Sequence, residues 1–301
     1  MKFELEYMQP ALGRAYAIIL MLIGSSVISF SGLVIRGIQE ADTWQINFYR
    51  SLAFAISIII FLILKRRKTA FKRVKFFNVQ IIFAASLLAL AGITFLQAIT
   101  NTTVAATTFT LSSIPFLTAV MARLFLGEQI RKSTAFTIGF GALGVSLMFF
   151  QSLASSAYFG NIMAFLCALA FSAYAIVVRR NRGQNMFPAL ILSNLIIIII
   201  VLLIRKGDLF IPWEDLILCF ILGGILSALV NTLFVIAAKY LLAAELTLFM
   251  LLEFTLGPIW VWLFVNEIPS GWTIVGGTIV LLAVFFKSAI ELRILGIVRF
   301  K

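Results

Sequence analysis

The sequence predicts an all-α integral membrane protein of ten transmembrane helices, arranged as two inverted five-helix repeats over residues 1–150 and 151–301. Three observations predict it. Of 301 residues, 62% are hydrophobic and only 12% charged, with a mean hydropathy of +1.10, whereas soluble domains hold ~45–50% apolar and ~25% charged residues. The apolar residues form continuous runs of span length that do not alternate, which implies helices rather than barrel strands. A self-similarity at constant spacing divides the chain in two.

A span needs about 20 apolar residues to cross the hydrocarbon core. In order, the runs predict helices over 15–35, 44–64, 77–99, 103–126, 133–150, 159–178, 187–204, 213–236, 243–265 and 271–290. The first run is too long for a signal-peptide core and reads as an uncleaved first span. The loop after the second span, "KRRKTAFKRVK", holds seven basic residues, and Arg131, Lys132, Arg179, Arg180, Arg182, Arg293, Arg299 and Lys301 lie on the same side. The opposite side offers Arg36, Arg205 and Lys206. An excess of Lys and Arg marks the cytoplasmic side, so both termini are expected there. That distribution also accounts for the net charge of +12 without a nucleic-acid partner. Histidine is absent and the two cysteines, Cys167 and Cys219, sit inside apolar runs, so neither a metal site nor a cofactor is expected.

"FLQAITNTTVAATTF" from Phe95 and "FVIAAKYLLAAELTL" from Phe234 align at an offset of 139 residues. At that offset Ala98 meets Ala237, Thr108 meets Thr247, and "LFLGE" meets "LFVNE", so that Glu128 corresponds to Glu267. Five spans per copy is an odd number, so the second copy enters the membrane upside down. Inverted repeats mark secondary transporters, whose substrate site lies near the midplane between the halves.

Arg50 early in the second span, Pro115 thirteen residues before Glu128, the "GE" at 127–128 and "GNIMAFLCALAFSAYAIVVRR" at 160–180 carry a family resemblance. With "LLEFTLGPIWVWLFVNE" near the end, the chain resembles the EamA-type transporters of the drug/metabolite transporter superfamily over residues 15–290. The resemblance implies one transport domain working by alternating access. It also implies a central cavity walled mainly by spans 1, 3, 4, 6, 8 and 9. Phe254 stands where the second repeat commonly has proline, and Pro258 follows one turn later, so a break in span 9 is expected to shift accordingly.

Glu253 lies in the middle of an apolar span, where a carboxylate costs about 2.5–3.5 kcal/mol on insertion scales. Such a residue faces protein or water, and it can pin an ammonium group, carry a coupling proton, or serve as a neutral structural pin. Helical spacing puts Glu245, Phe249, Glu253 and Trp260 near one stripe, which makes Trp260 a candidate for stacking on a ligand. Arg50 either snorkels outward or binds a substrate carboxylate. Arg123 snorkels or pairs with Glu128. Ser25 and Ser29, with Gln97, Thr110, Ser113, Tyr174 and Asn231, are further candidates for the polar wall of a cavity.

The function expected from the repeat and the resemblance is a secondary transporter in a bacterial inner membrane, exporting a small metabolite such as an amino acid or related zwitterion. Its partners would be that substrate, membrane lipids and protons, with the chain acting as monomer or homodimer. A lipid-linked, nucleotide-sugar or phosphorylated-metabolite carrier is the alternative, then a channel. Phosphate-bearing substrates call for several basic groups in the cavity, and Arg50 stands alone there. No nucleotide-binding loop and no residue cluster of an enzyme is found.

Overall fold

The computed structural model describes residues 2–65, 78–129, 132–149 and 158–266, with scattered positions from 275 to 286. The described residues are helical wherever the sequence runs apolar, and eight of the helical segments are long and apolar enough to cross a membrane. The tenth expected span, at 271–290, and Glu267 lie outside the described residues or are covered only at isolated positions.

Span 1 is two helices, α1 (Lys2–Ile28) and α2 (Ser31–Gly37), separated by a turn at Ser29–Phe30. Spans 2 and 3 are α3 (Thr43–Lys65) and α4 (Val79–Asn101). Asp42 opens α3 by accepting from the backbone of Trp44 at 2.8 Å and Gln45 at 3.0 Å, and Asn78 opens α4 by accepting from Gln80 at 3.1 Å. Each bond satisfies a donor that the first turn leaves without a partner. Span 4 is again two helices, α5 (Val104–Leu111) and α6 (Ile114–Leu126), which ends at Gly127 with φ 65°. Then come α7 (Lys132–Phe149), α8 (Tyr158–Arg180) and α9 (Phe187–Arg205).

Span 8 is continuous but not uniform. Between α10 (Trp213–Phe220) and α11 (Ala228–Ala237), residues Ile221–Ser227 form a π-helical stretch that the sequence did not predict. Span 9 is α12 (Ala243–Phe249) and α13 (Leu251–Val265). Its break falls at Met250, three residues before Glu253, while Pro258 lies inside α13. The expected shift toward Pro258 is therefore corrected: this break stands 139 residues after Leu111, which ends α5 beside the span 4 break.

The spans pack in an exchangeable pattern. Span 3 lies on span 6 as span 8 lies on span 1; span 3 lies on span 7 as span 8 lies on span 2; span 4 lies on span 6 as span 9 lies on span 1. Spans 2 and 7 pack on each other, as do spans 4 and 9. Swapping the first five spans for the second five leaves this set of neighbours unchanged.

Polar side chains gather at the two ends of the bundle. At one end Arg14 pairs with Glu245 at 2.7 Å, and Arg179 pairs with Glu128 at 2.7 Å while donating to the Ala238 carbonyl at 2.9 Å. Glu128 also accepts from the Ala243 amide at 3.1 Å, at the N-terminus of α12. At the other end Asp215 accepts from the backbone of Gln39, Glu40 and Ala41 at 3.1, 2.9 and 2.8 Å. Arg205 there pairs with Asp42 at 2.5 Å.

Candidate functional site

The helices of the bundle line a cavity of about 110 Å³. That is room for a small solute of roughly ten heavy atoms. Its walls come from spans 1 to 4 and 6 to 9, so the expected set of walls was incomplete: spans 2 and 7 contribute as well.

The lining follows the repeat. Leu88 and Ser227, Ala91 and Val230, Gly92 and Asn231, Phe95 and Phe234, Leu111 and Met250, Ile114 and Glu253 all face the cavity, and each pair is 139 residues apart. The cavity thus lies where the two halves meet, and corresponding positions form opposite walls. The chemistry of those walls differs. Where the first half presents Leu88, Gly92 and Ile114, the second presents Ser227, Asn231 and Glu253. At these three corresponding positions the first half is apolar and the second carries hydrogen-bonding groups and a carboxyl, while Ser31 and Arg50 are the polar lining residues of the first half.

Glu253 and Arg50 both reach this cavity, and each is 9% exposed. Among the described residues no ion pair joins their side chains to each other or to anything else, and Arg50 Nε has no hydrogen-bond partner. Arg50 therefore does not snorkel outward. Buried charges are ordinarily paired, because burying an ion alone is costly. Arg50 and Glu253 are thus two ionisable side chains on one cavity that no ion pair satisfies among the described residues.

Asn231 turns its Nδ2 to the Ser227 carbonyl at 2.9 Å and leaves Oδ1 buried without a partner. Ser193 and Asn194 of α9 also line the cavity and spend their donors on the Leu190 carbonyl at 2.9 and 2.7 Å. Neither residue is expected from the sequence, because the family resemblance does not place span 7 in the walls. The signal was present, in the polar doublet of "LILSNLIIIII".

The other candidates lie away from the cavity lining. Trp260 sits two turns beyond Glu253 on α13, where it stacks on Phe30 with centroids 4.5 Å apart and donates from Nε1 to Ser29 Oγ at 2.8 Å. The break at Met250 also divides the stripe that was to run from Glu245 to Trp260. Ser25 is fully buried with Oγ unpartnered, and Tyr174 is buried against Phe171 and Phe234, its hydroxyl also unpartnered. Thr110 and Ser113 return their hydroxyls to the Ala106 and Thr110 carbonyls at 3.1 and 2.7 Å. Gln97 lies near the end of α4, its carbonyl accepting from Asn101 at 2.8 Å. Glu128 pairs with Arg179, and Arg123 is exposed. Among the described residues no cluster of side chains suited to a metal ion occurs.

A sequence model of the EamA-like transporter family matches residues 15–150 and matches again over residues 158–289. The chain belongs to that family. It is accordingly a multi-pass membrane transporter, built from two EamA repeats, and acts on a small molecule. Among solved structures, one described only as the crystal structure of a protein superposes on this EamA-like transporter with a TM-score of 0.76. The match covers 93% of this chain and 99% of that one at 13% identity, a likeness of fold alone. No curated protein matches the sequence.

Proposed function

We propose that this EamA-like transporter is a secondary carrier that exports a small zwitterionic metabolite, of the amino-acid kind, across a bacterial inner membrane by alternating access. Both termini lie in the cytoplasm, and the two halves are inverted copies that rock about the shared cavity. The observation that carries the substrate class is the pair of buried, unpaired charges on one small cavity, Arg50 and Glu253. A carboxylate satisfies the first and an ammonium group the second. The exchangeable packing of the spans and the corresponding cavity walls support the inverted repeat. The carrier is facilitative or driven by protons, with Glu253 as the group that can hold one. A nucleotide-sugar or phosphorylated substrate is less well served, because among the described lining residues Arg50 is the single basic group and the volume is small.

Glu253→Gln tests this reading, since it keeps size and most hydrogen bonding while removing the charge. Initial transport rates of amino acids in proteoliposomes, normalised to reconstituted protein, are expected to fall at least tenfold, as the loss of about 1.4 kcal/mol implies. Any pH dependence near neutrality is expected to flatten. Equal rates and equal pH profiles for the two proteins would make Glu253 a structural pin.

A further inference from the structure

The guanidinium of Arg50 occupies space that one absent side chain provides. Gly92 lies inside α4 and faces the cavity. A Cβ built there would stand 2.8 Å from Arg50 Nη2 and 3.1 Å from Ile197 Cδ1. Alanine is the better helix former at such a position, so the helix itself gains nothing from glycine. The gain belongs to Arg50. A second glycine fixes the other end of the same residue: at Gly223, in the π-helical stretch, a Cβ would collide with the Arg50 carbonyl oxygen. The close approach of that backbone sets where Arg50 starts, and the bare surface of Gly92 sets where its guanidinium ends.

We propose that Gly92 is a specificity-determining residue of the transporter, which positions Arg50 to bind the acid group of the substrate. The proposal rests on the reading of the cavity as the substrate site. Asn231 occupies the corresponding position on the opposite wall, so the same place in the two halves serves two ends of the ligand. On the first half it holds a cation in place by being empty. On the second it supplies an amide whose Oδ1 is unpartnered, on the same cavity as the carboxyl of Glu253. The substrate therefore lies across the cavity with its acid end toward α3 and α4 and its ammonium end toward α11 and α13.

The atom nearest the added Cβ is the far end of a flexible side chain. Gly92→Ala is therefore expected to fold as the wild type does and to displace the guanidinium. The probes are leucine, threonine and phenylalanine, each beside its carboxamide, which keeps the ammonium group and lacks the carboxylate. Wild-type proteoliposomes are expected to take up the acids with a lower KM than the amides. In Gly92→Ala the KM for the acids should rise about tenfold, the loss of one good hydrogen bond to a charged group, while the KM for the amides stays within about twofold. Arg50→Lys should abolish the same discrimination, because an ammonium cannot reproduce the planar fork. Adding Gly92→Ala to Arg50→Lys should then change nothing further.

A Gly92→Ala protein that slows acids and amides equally, that leaves both unchanged, or that fails to fold overturns the proposal. So does an effect that adds to that of Arg50→Lys. A wild type that moves acids and amides with equal KM overturns the acid subsite and leaves the transport reading in place. A wild type that moves neither overturns the amino-acid reading and the proposal together.

Discussion

Trp260 illustrates how far residue type predicts residue role. An aromatic two turns from a buried carboxyl suits ligand stacking, yet the indole is committed to Phe30 and Ser29 at the break in span 1. Its consequence is mechanical: it ties α13 to the turn between α1 and α2. Trp260→Phe keeps the stacked ring and removes the bond to Ser29 Oγ. It is expected to cost about 1 kcal/mol of stability, the usual net worth of one hydrogen bond. A melting temperature lowered by a few degrees in detergent, with the substrate KM unchanged, is the expected outcome. A KM raised severalfold would return Trp260 to the binding site. Arg50 shows the opposite case, because its depth in the span left snorkelling and substrate binding both open. Burial at 9% exposure beside Gly92 decides for the cavity.

At the scale of elements, the broken spans 4 and 9 contain the same device. Thr108 donates its hydroxyl to the Val104 carbonyl at 2.9 Å in α5, and its counterpart Thr247 donates to Ala243 at 3.3 Å in α12. Hydroxyls that bond back into their own helix bend it. A tight turn follows in each case, with the Ser112 amide bonded to Phe109 at 3.0 Å and the Met250 amide to Thr247 at 3.2 Å. The break therefore forms at Met250 without a proline at residue 254, which explains why Pro258 does not move it. The N-terminus of α12 gains from Glu128, which accepts from Ala243 and holds Arg179. Arg179 and Glu128 are 8% and 15% exposed, so this pair is the more buried, whereas Arg205 and Asp42 are 28% and 40% exposed. Removing one partner of a buried pair costs about 3–5 kcal/mol, against ~0–1 kcal/mol for an exposed one. Thermal unfolding of purified protein is expected to show Glu128→Ala lowering the melting temperature well beyond Arg205→Ala. Equal shifts would mean that the Glu128–Arg179 pair is as solvated as the exposed one.

For the whole molecule, orientation rests on charge rather than on packing. With seven basic residues in one loop and a basic C-terminus, that face is expected on the cytoplasmic side. A reporter active only in the periplasm, fused after Lys301, is expected to stay silent in cells. Strong activity would reverse the orientation and with it the direction assigned to transport. The cavity between the halves is the other property of the whole, since both repeats contribute to its walls, Arg50 from the first and Asn231 and Glu253 from the second.

The sequence by itself determined the class, the helical spans among the described residues and the duplication, because hydropathy, span length and repeat offset are properties of the chain alone. It also singled out Glu253, Asn231 and Arg50, since a polar group in an apolar run is conspicuous wherever the helix later packs. Which of the remaining polar residues face the cavity was decided only by tertiary structure. Ser193 and Asn194 do, while Trp260, Ser25, Ser29, Gln97, Thr110, Ser113 and Tyr174 are not among its lining residues. The physical reason is that the face a helix turns inward depends on its neighbours and on local breaks. A π-helical stretch in span 8 and a turn at Met250 re-aim every side chain beyond them. The empty space above Gly92 is visible only once α3 has been laid across it.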